Sequence, residues 1–135
     1  MTDVSVALQT AIVAALKNDA GVTAIAGERV YDRVPEKKPK PYVNYGGEQV
    51  LPDDVDCIAG FEAFVTLHGW SDAAGQIEAK RLAGAVRNRL HNTDLAVADH
   101  RLHLIEHRGT DYLDDPDGLT THAVIVFRVL LDPLA

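Results

Sequence analysis

Between Thr121 and Leu131 every second residue is apolar: Ala123, Ile125, Phe127, Val129 and Leu131. A period of two is the mark of a β-strand, whose successive side chains point to opposite faces. Val124 and Val126 add apolar surface to the reverse side. Phe61 to Trp70 repeats the pattern, with Phe61, Ala63, Val65 and Leu67 on one face and Phe64, Thr66, His68 and Trp70 on the other. A sheet built from such strands needs cover on both faces. Helices can supply one cover, and another subunit is the candidate for the second.

The helices are legible from a different period. Leu8, Ala11, Ile12, Ala15 and Leu16 recur at helical spacing between Asp3 and Lys17, with Thr2 or Asp3 placed to cap the first turn. Asp19 can cap a second, short helix through Ala20 to Ile25 that Gly27 would end. A third helix is predicted to start at a Ser71 or Asp72 cap and run to about Leu90. Its buried stripe is Ala79, Leu82, Ala83, Val86 and Leu90, with Lys80, Arg81, Arg87 and Arg89 largely toward solvent.

Arg29 to Val34 reads as a short strand that runs into Pro35, Pro39 and Pro41, where regular pairing is not possible. Pro41 to Tyr45 resumes an extended segment, and Gly46-Gly47 marks a bulge or turn. Gln49 to Gly60 reads as an acidic hairpin loop. Arg101 to Tyr112 and Thr121 to Leu131 read as strands joined through Asp115-Pro116-Asp117-Gly118, which has the chemistry of a tight turn. This order lacks regular βαβ alternation. It predicts one α+β domain over residues 1–135: an antiparallel or mixed sheet of about four main strands, with two main helices on one face.

Charge and cysteine content disfavour several functions. The formal net charge of −7 is the reverse of what a general DNA-binding protein needs to displace counterions from phosphates. An acidic surface could still surround a passing duplex without holding it. The single cysteine, Cys57, forbids an intrachain disulfide, and its acidic neighbours would raise rather than lower its pKa. No signal-peptide pattern and no apolar run of bilayer length is present, so a soluble protein made in a cytoplasm, with no membrane contact, is expected.

Catalytic patterns are missing. There is no G-x-S-x-G, no phosphate-cradling loop and no dinucleotide fingerprint, so neither an enzyme nor a cofactor is expected. His100, His103 and His107, with Asp99, Glu106 and Asp111 nearby, are the one tempting metal cluster. Strand alternation would turn His100 away from the other two, and the spacing matches no closed zinc motif. Asp111, Asp114, Asp115 and Asp117 lack the later Glu of a calcium loop and read as a hairpin. Trp70 reads as a core residue at a strand end.

Several segments resemble, in order, the tail-completion family of long-tailed phages and gene-transfer agents. They are Arg29-Val30-Tyr31-Asp32-Arg33-Val34-Pro35, Pro41-Tyr42-Val43, Leu67-His68-Gly69-Trp70-Ser71, Glu78-Ala79-Lys80, Val86-Arg87 and Leu90-His91. Asp115-Pro116-Asp117-Gly118, His122 and Phe127-Arg128 complete the set, which covers nearly the whole chain. The resemblance implies a tail terminator: a homo-hexameric ring on the head-proximal end of the tail tube, which stops tube polymerisation and meets the neck proteins. DNA would pass through the ring without specific binding, and the family supplies no catalytic residues.

Phe64, His68 and Trp70, with the Lys37, Lys38 and Lys40 loop, are the expected subunit contacts. Asp53, Asp54 and Asp56 are the expected lumen loop. The competing readings are a head-side adaptor or stopper, a small metal-binding enzyme using His103 and His107, and a nucleic-acid module using Lys80, Arg81, Arg87 and Arg89.

Overall fold

The computed structural model describes residues 2–54 and 60–134. Three helices and five strands follow in the order α1 (Val4–Lys17), α2 (Ala20–Ala26), β1 (Val30–Tyr31), β2 (Tyr42–Pro52), β3 (Phe61–Ser71), α3 (Ile77–Leu90), β4 (His100–Asp114) and β5 (Thr121–Pro133). The strands form one sheet in the order β1-β2-β3-β5-β4. All long pairings are antiparallel, while the two-residue β1 lies parallel to β2, so the sheet is mixed.

The predicted caps hold at α1 and α2. Asp3 accepts from the backbone N–H groups of Ser5 and Val6, and Asp19 accepts from Val22 N–H. Each satisfies donors that a helix start leaves unpaired. Gly27 ends α2 at φ +58°, a backbone geometry costly for a side chain. The third helix departs from expectation. Ser71 and Asp72 do not cap it; α3 starts at Ile77, and its cap residue Gln76 makes no side-chain cap bond. Ser71 is instead the buried last residue of β3. Its Oγ donates to Glu78 Oε1 at 2.8 Å and accepts from Ala73 N–H at 3.2 Å. The first bond ties the strand end to the first turn of α3, and the second orders the connection between them.

The alternation in β3 and β5 sets the core. Ala63, Val65 and Leu67 of β3 and Ala123, Ile125, Phe127, Val129 and Leu131 of β5 are all buried. They face α3, which packs across β3, β4 and β5, while α1 packs on β1 and β2 and α2 packs on α3. The predicted stripes of α1 and α3 supply the opposing wall. The intervening residues of β3 and β5 are only half covered, because no helix of the described residues lies over that side.

Three local readings change. The strand predicted over Arg29–Val34 shrinks to Val30–Tyr31. The second strand runs on to Pro52, bulging between Tyr45 and Glu48 at the Gly46-Gly47 pair. Gln49 to Pro52, predicted as part of the acidic loop, are therefore strand. At the β4 edge, Asn92 N–H donates to Ile105 O at 2.7 Å and His107 N–H donates to His91 Nδ1 at 3.0 Å. The loop after α3 so covers part of an edge that would otherwise be open to pairing.

Phe127 is fully buried at the sheet–helix interface. Phe127→Ala is expected to lower the unfolding free energy by about 3–5 kcal/mol, and Asp3→Ala by about 1 kcal/mol. Urea denaturation of the two variants checks both values and their ranking.

Candidate functional site

Strand register converts the uncovered side of the sheet into rows. Tyr42, Trp70, His122 and Leu113 lie opposite one another across β2, β3, β5 and β4. Asn44, His68, Val124 and Asp111 form the next row, and Gln49, Phe64, Arg128 and Glu106 a further one. Phe64, His68 and Trp70 therefore share one half-buried face, as their spacing predicts. Trp70 is not the core residue that the sequence reading expected. It stands on the open face because the core-facing positions of β3 are the odd-numbered ones.

The first row is an aromatic ladder. Tyr31 and Tyr42 meet edge to face at 6.0 Å between ring centroids, and Tyr42 lies 6.5 Å from Trp70. Trp70 stacks on His122 at 3.8 Å with only 7° between the planes. The indole N–H donates to Asn44 Oδ1 at 2.7 Å, which fixes the Trp70 ring. His68 Nδ1 and His122 Nε2 approach to 2.6 Å, one imidazole donating to the other. Burial pushes the pKa of His68 down. Burial also pushes His122 down, helped by the charge of His68 and opposed by Asp115. Both shifts favour the neutral ring.

Farther along the face the polar groups are also paired. Arg128 Nε donates to Glu62 Oε2 at 2.7 Å, and its Nη1 donates to Glu106 Oε1 at 3.3 Å. Among the described residues no buried side-chain nitrogen or oxygen lacks a partner. Because the Arg128 charge is already paired, a protein surface can cover that part of the face without leaving it orphaned.

The other nominated residues fall around this face. Lys37 and Lys38 are exposed, and Lys40 Nζ sits 5.9 Å over the Tyr42 ring, so that loop borders the aromatic row. Asp53 and Asp54 are exposed at the far end of β2, where Asp53 N–H donates to Gly60 O and Gly60 N–H donates to Asp54 Oδ1. Asp56 and Cys57 lie outside the described residues. Of the basic residues on α3, Lys80, Arg81 and Arg87 are exposed.

The histidine strand is rearranged by two bulges, between Leu102 and Leu104 and between His107 and Gly109. His100 and His107 consequently share the helix-covered side, opposite Pro133 and Phe127, and His103 alone turns away to pair with Asp132. The expected separation of His100 from both others is corrected on this point. Each ring is otherwise engaged: His100 Nδ1 with Ala98 O at 2.7 Å, and His107 Nε2 with Thr110 Oγ1 at 2.7 Å. Among the described residues no group of three histidine, cysteine or acidic side chains is gathered in a metal-binding arrangement. Likewise no helix is long and apolar enough to cross a membrane.

His122, Asn44 and Tyr42 join the site without a local motif that marks them. The β5 alternation already placed His122 opposite the core side. Its nearness to His68, fifty-four positions away, follows only from the β3–β5 register.

Comparison with known proteins gives two findings. The family model for the tail completion protein gp17 matches residues 10–132. A chain of the solved structure "Virion of native gene transfer agent (GTA) particle" superposes with a TM-score of 0.89 at 29% sequence identity. That match covers 98% of this chain and 99% of the other. A search of curated proteins finds no significant match.

The packing of His68 over the β2 bulge generates a test. A Cβ at Gly46 would come within 2.4 Å of His68 Nε2 and 2.8 Å of Thr66 O, whereas one at Gly47 would meet nothing within 4 Å. Gly46→Ala is expected to destabilise the fold by about 1–3 kcal/mol through overpacking. Gly47→Ala should stay within about 0.5 kcal/mol; thermal unfolding of the two variants compares them directly.

Proposed function

The chain belongs to the tail completion protein gp17 family, and from that membership we propose that it is the tail terminator of a tailed phage or gene-transfer particle. Its work is structural, as a part of the particle's tail. Six copies form a ring on the head-proximal end of the tail tube, stop further addition of tube protein and present a surface to the neck proteins. The observation that carries this reading is the agreement between the family match and the full-length likeness to a virion chain.

The chain's own chemistry supports the reading in two ways. A closed ring uses heterologous contacts, in which one surface of each subunit meets a different surface of the next. The open sheet face around Phe64, His68 and Trp70, bordered by the Lys37, Lys38 and Lys40 loop, suits one half of such a contact because it is aromatic at one end and its Arg128 charge is already paired. The acidic loop bearing Asp53, Asp54 and Asp56 suits a lumen. Carboxylates repel the phosphate backbone and let a duplex slide past without binding.

Two measurements test the proposal. Particles made without this gene should show overlong tails detached from filled heads by electron microscopy. Tails of normal length that fail to join heads would move the protein to a head-side adaptor or stopper role. In the purified protein, Phe64→Glu should keep the far-UV circular dichroism of the wild type yet weaken ring formation about tenfold or more by sedimentation. Rings that assemble as before would remove the open face from the subunit contact.

A further inference from the structure

Two imidazole rings from different strands meet on the open sheet face with their ring nitrogens 2.6 Å apart, and both are held from behind. His122 is clamped by the parallel stack with Trp70, which Asn44 fixes in turn. His68 lies over Gly46, in space that any side chain at that position would fill. Neither ring nitrogen of this pair is used by a backbone group, unlike the ring nitrogens of His91 and His100. We propose that His68 and His122 form a two-imidazole chelate for a divalent cation of the zinc and copper class.

The donor set selects that class. Imidazole suits Zn²⁺, Cu²⁺ and Ni²⁺, whereas Mg²⁺ and Ca²⁺ require oxygen ligands. Metal–nitrogen bonds of about 2.0–2.1 Å in tetrahedral geometry hold two nitrogens roughly 3.3 Å apart. The rings therefore have to part by less than about 1 Å, and the cation takes the place of the shared hydrogen. His68 then carries its hydrogen on Nε2 and His122 on Nδ1, so both ligands remain neutral and no proton is released.

No third histidine, cysteine or carboxylate among the described residues joins the pair, so water completes the coordination. Asp115, in the β4–β5 turn, acts on His122 through its charge, and Asp111 of β4 lies one row along the same face. Lys40, over Tyr42, is the cation of the neighbouring row. The site requires only the folded chain and stands independently of the terminator reading.

The structure supplies a reporter, because Trp70 is the only tryptophan and stacks on a proposed ligand. Titrating the full-length protein with Cu²⁺ alone should quench Trp70 fluorescence saturably, with one site per chain by calorimetry. Electron paramagnetic resonance of the complex should show two imidazole nitrogens. Mg²⁺ should do neither. His68→Ala and His122→Ala should each abolish the saturable site, and His103→Ala should leave it intact.

Gly46→Ala displaces the His68 ring without removing a ligand, and should weaken binding about 10–100-fold, the cost of losing a supporting contact. Absence of saturable quenching in the wild type would overturn the proposal. So would binding that survives in both His68→Ala and His122→Ala. If either variant fails to fold, the wild-type spectrum decides alone, and a signal without two imidazole nitrogens overturns the site.

Discussion

The antiparallel pairing of β3 with β5 is the contact on which the rest of the molecule depends. It runs without a bulge from Phe61 opposite Leu131 to Ser71 opposite Thr121. Because side-chain period in a strand is two, this single register decides which residues face the helices and which do not. A slip of one residue would send Phe127 and Ile125 outward and bring Arg128 into the core. The apolar stripes of α1 and α3 then have only one place to pack, and the bulged strands β2 and β4 adapt around a centre that is already fixed.

The same register assembles the open face. It brings His68 beside His122, stacks Trp70 on His122 and sets Glu62 and Glu106 on either side of Arg128. These pairings leave a surface that is apolar and aromatic at one end and ionically balanced farther along. Such a surface is suited to contact with protein rather than with a nucleic acid. The net charge of −7 points the same way, since the chain has no excess of cations with which to hold phosphates.

Features governed by local chemistry were legible in the sequence. The Asp3 and Asp19 caps, the α1 and α3 stripes, the Gly46-Gly47 bulge and the turn at Asp115 to Gly118 each depend on a few neighbouring residues. So does the shared face of Phe64, His68 and Trp70. The misreadings arose where distant parts of the chain compete for a residue. Ser71 looks like a helix cap, but β3 claims it for its pairing with Thr121. Trp70 looks like core because it is large and apolar, yet the face is chosen by Val65 and Leu67. The two bulges in β4 reset the alternation, so His107 could not be placed by counting from His100. Alternation sets the faces of His68 and His122, but their proximity carries no sequence signal, because it exists only once two strands are in register.

The central claim is that this chain ends the tail tube as a ring whose subunits meet through the open sheet face. A cryo-electron microscopy reconstruction of the neck of purified particles tests it most directly. The account predicts six copies of this fold between the last tube ring and the neck proteins, with Phe64 and Trp70 covered by the adjacent copy. Density that places the chain elsewhere in the particle, or a ring in which that face is bare, would contradict it.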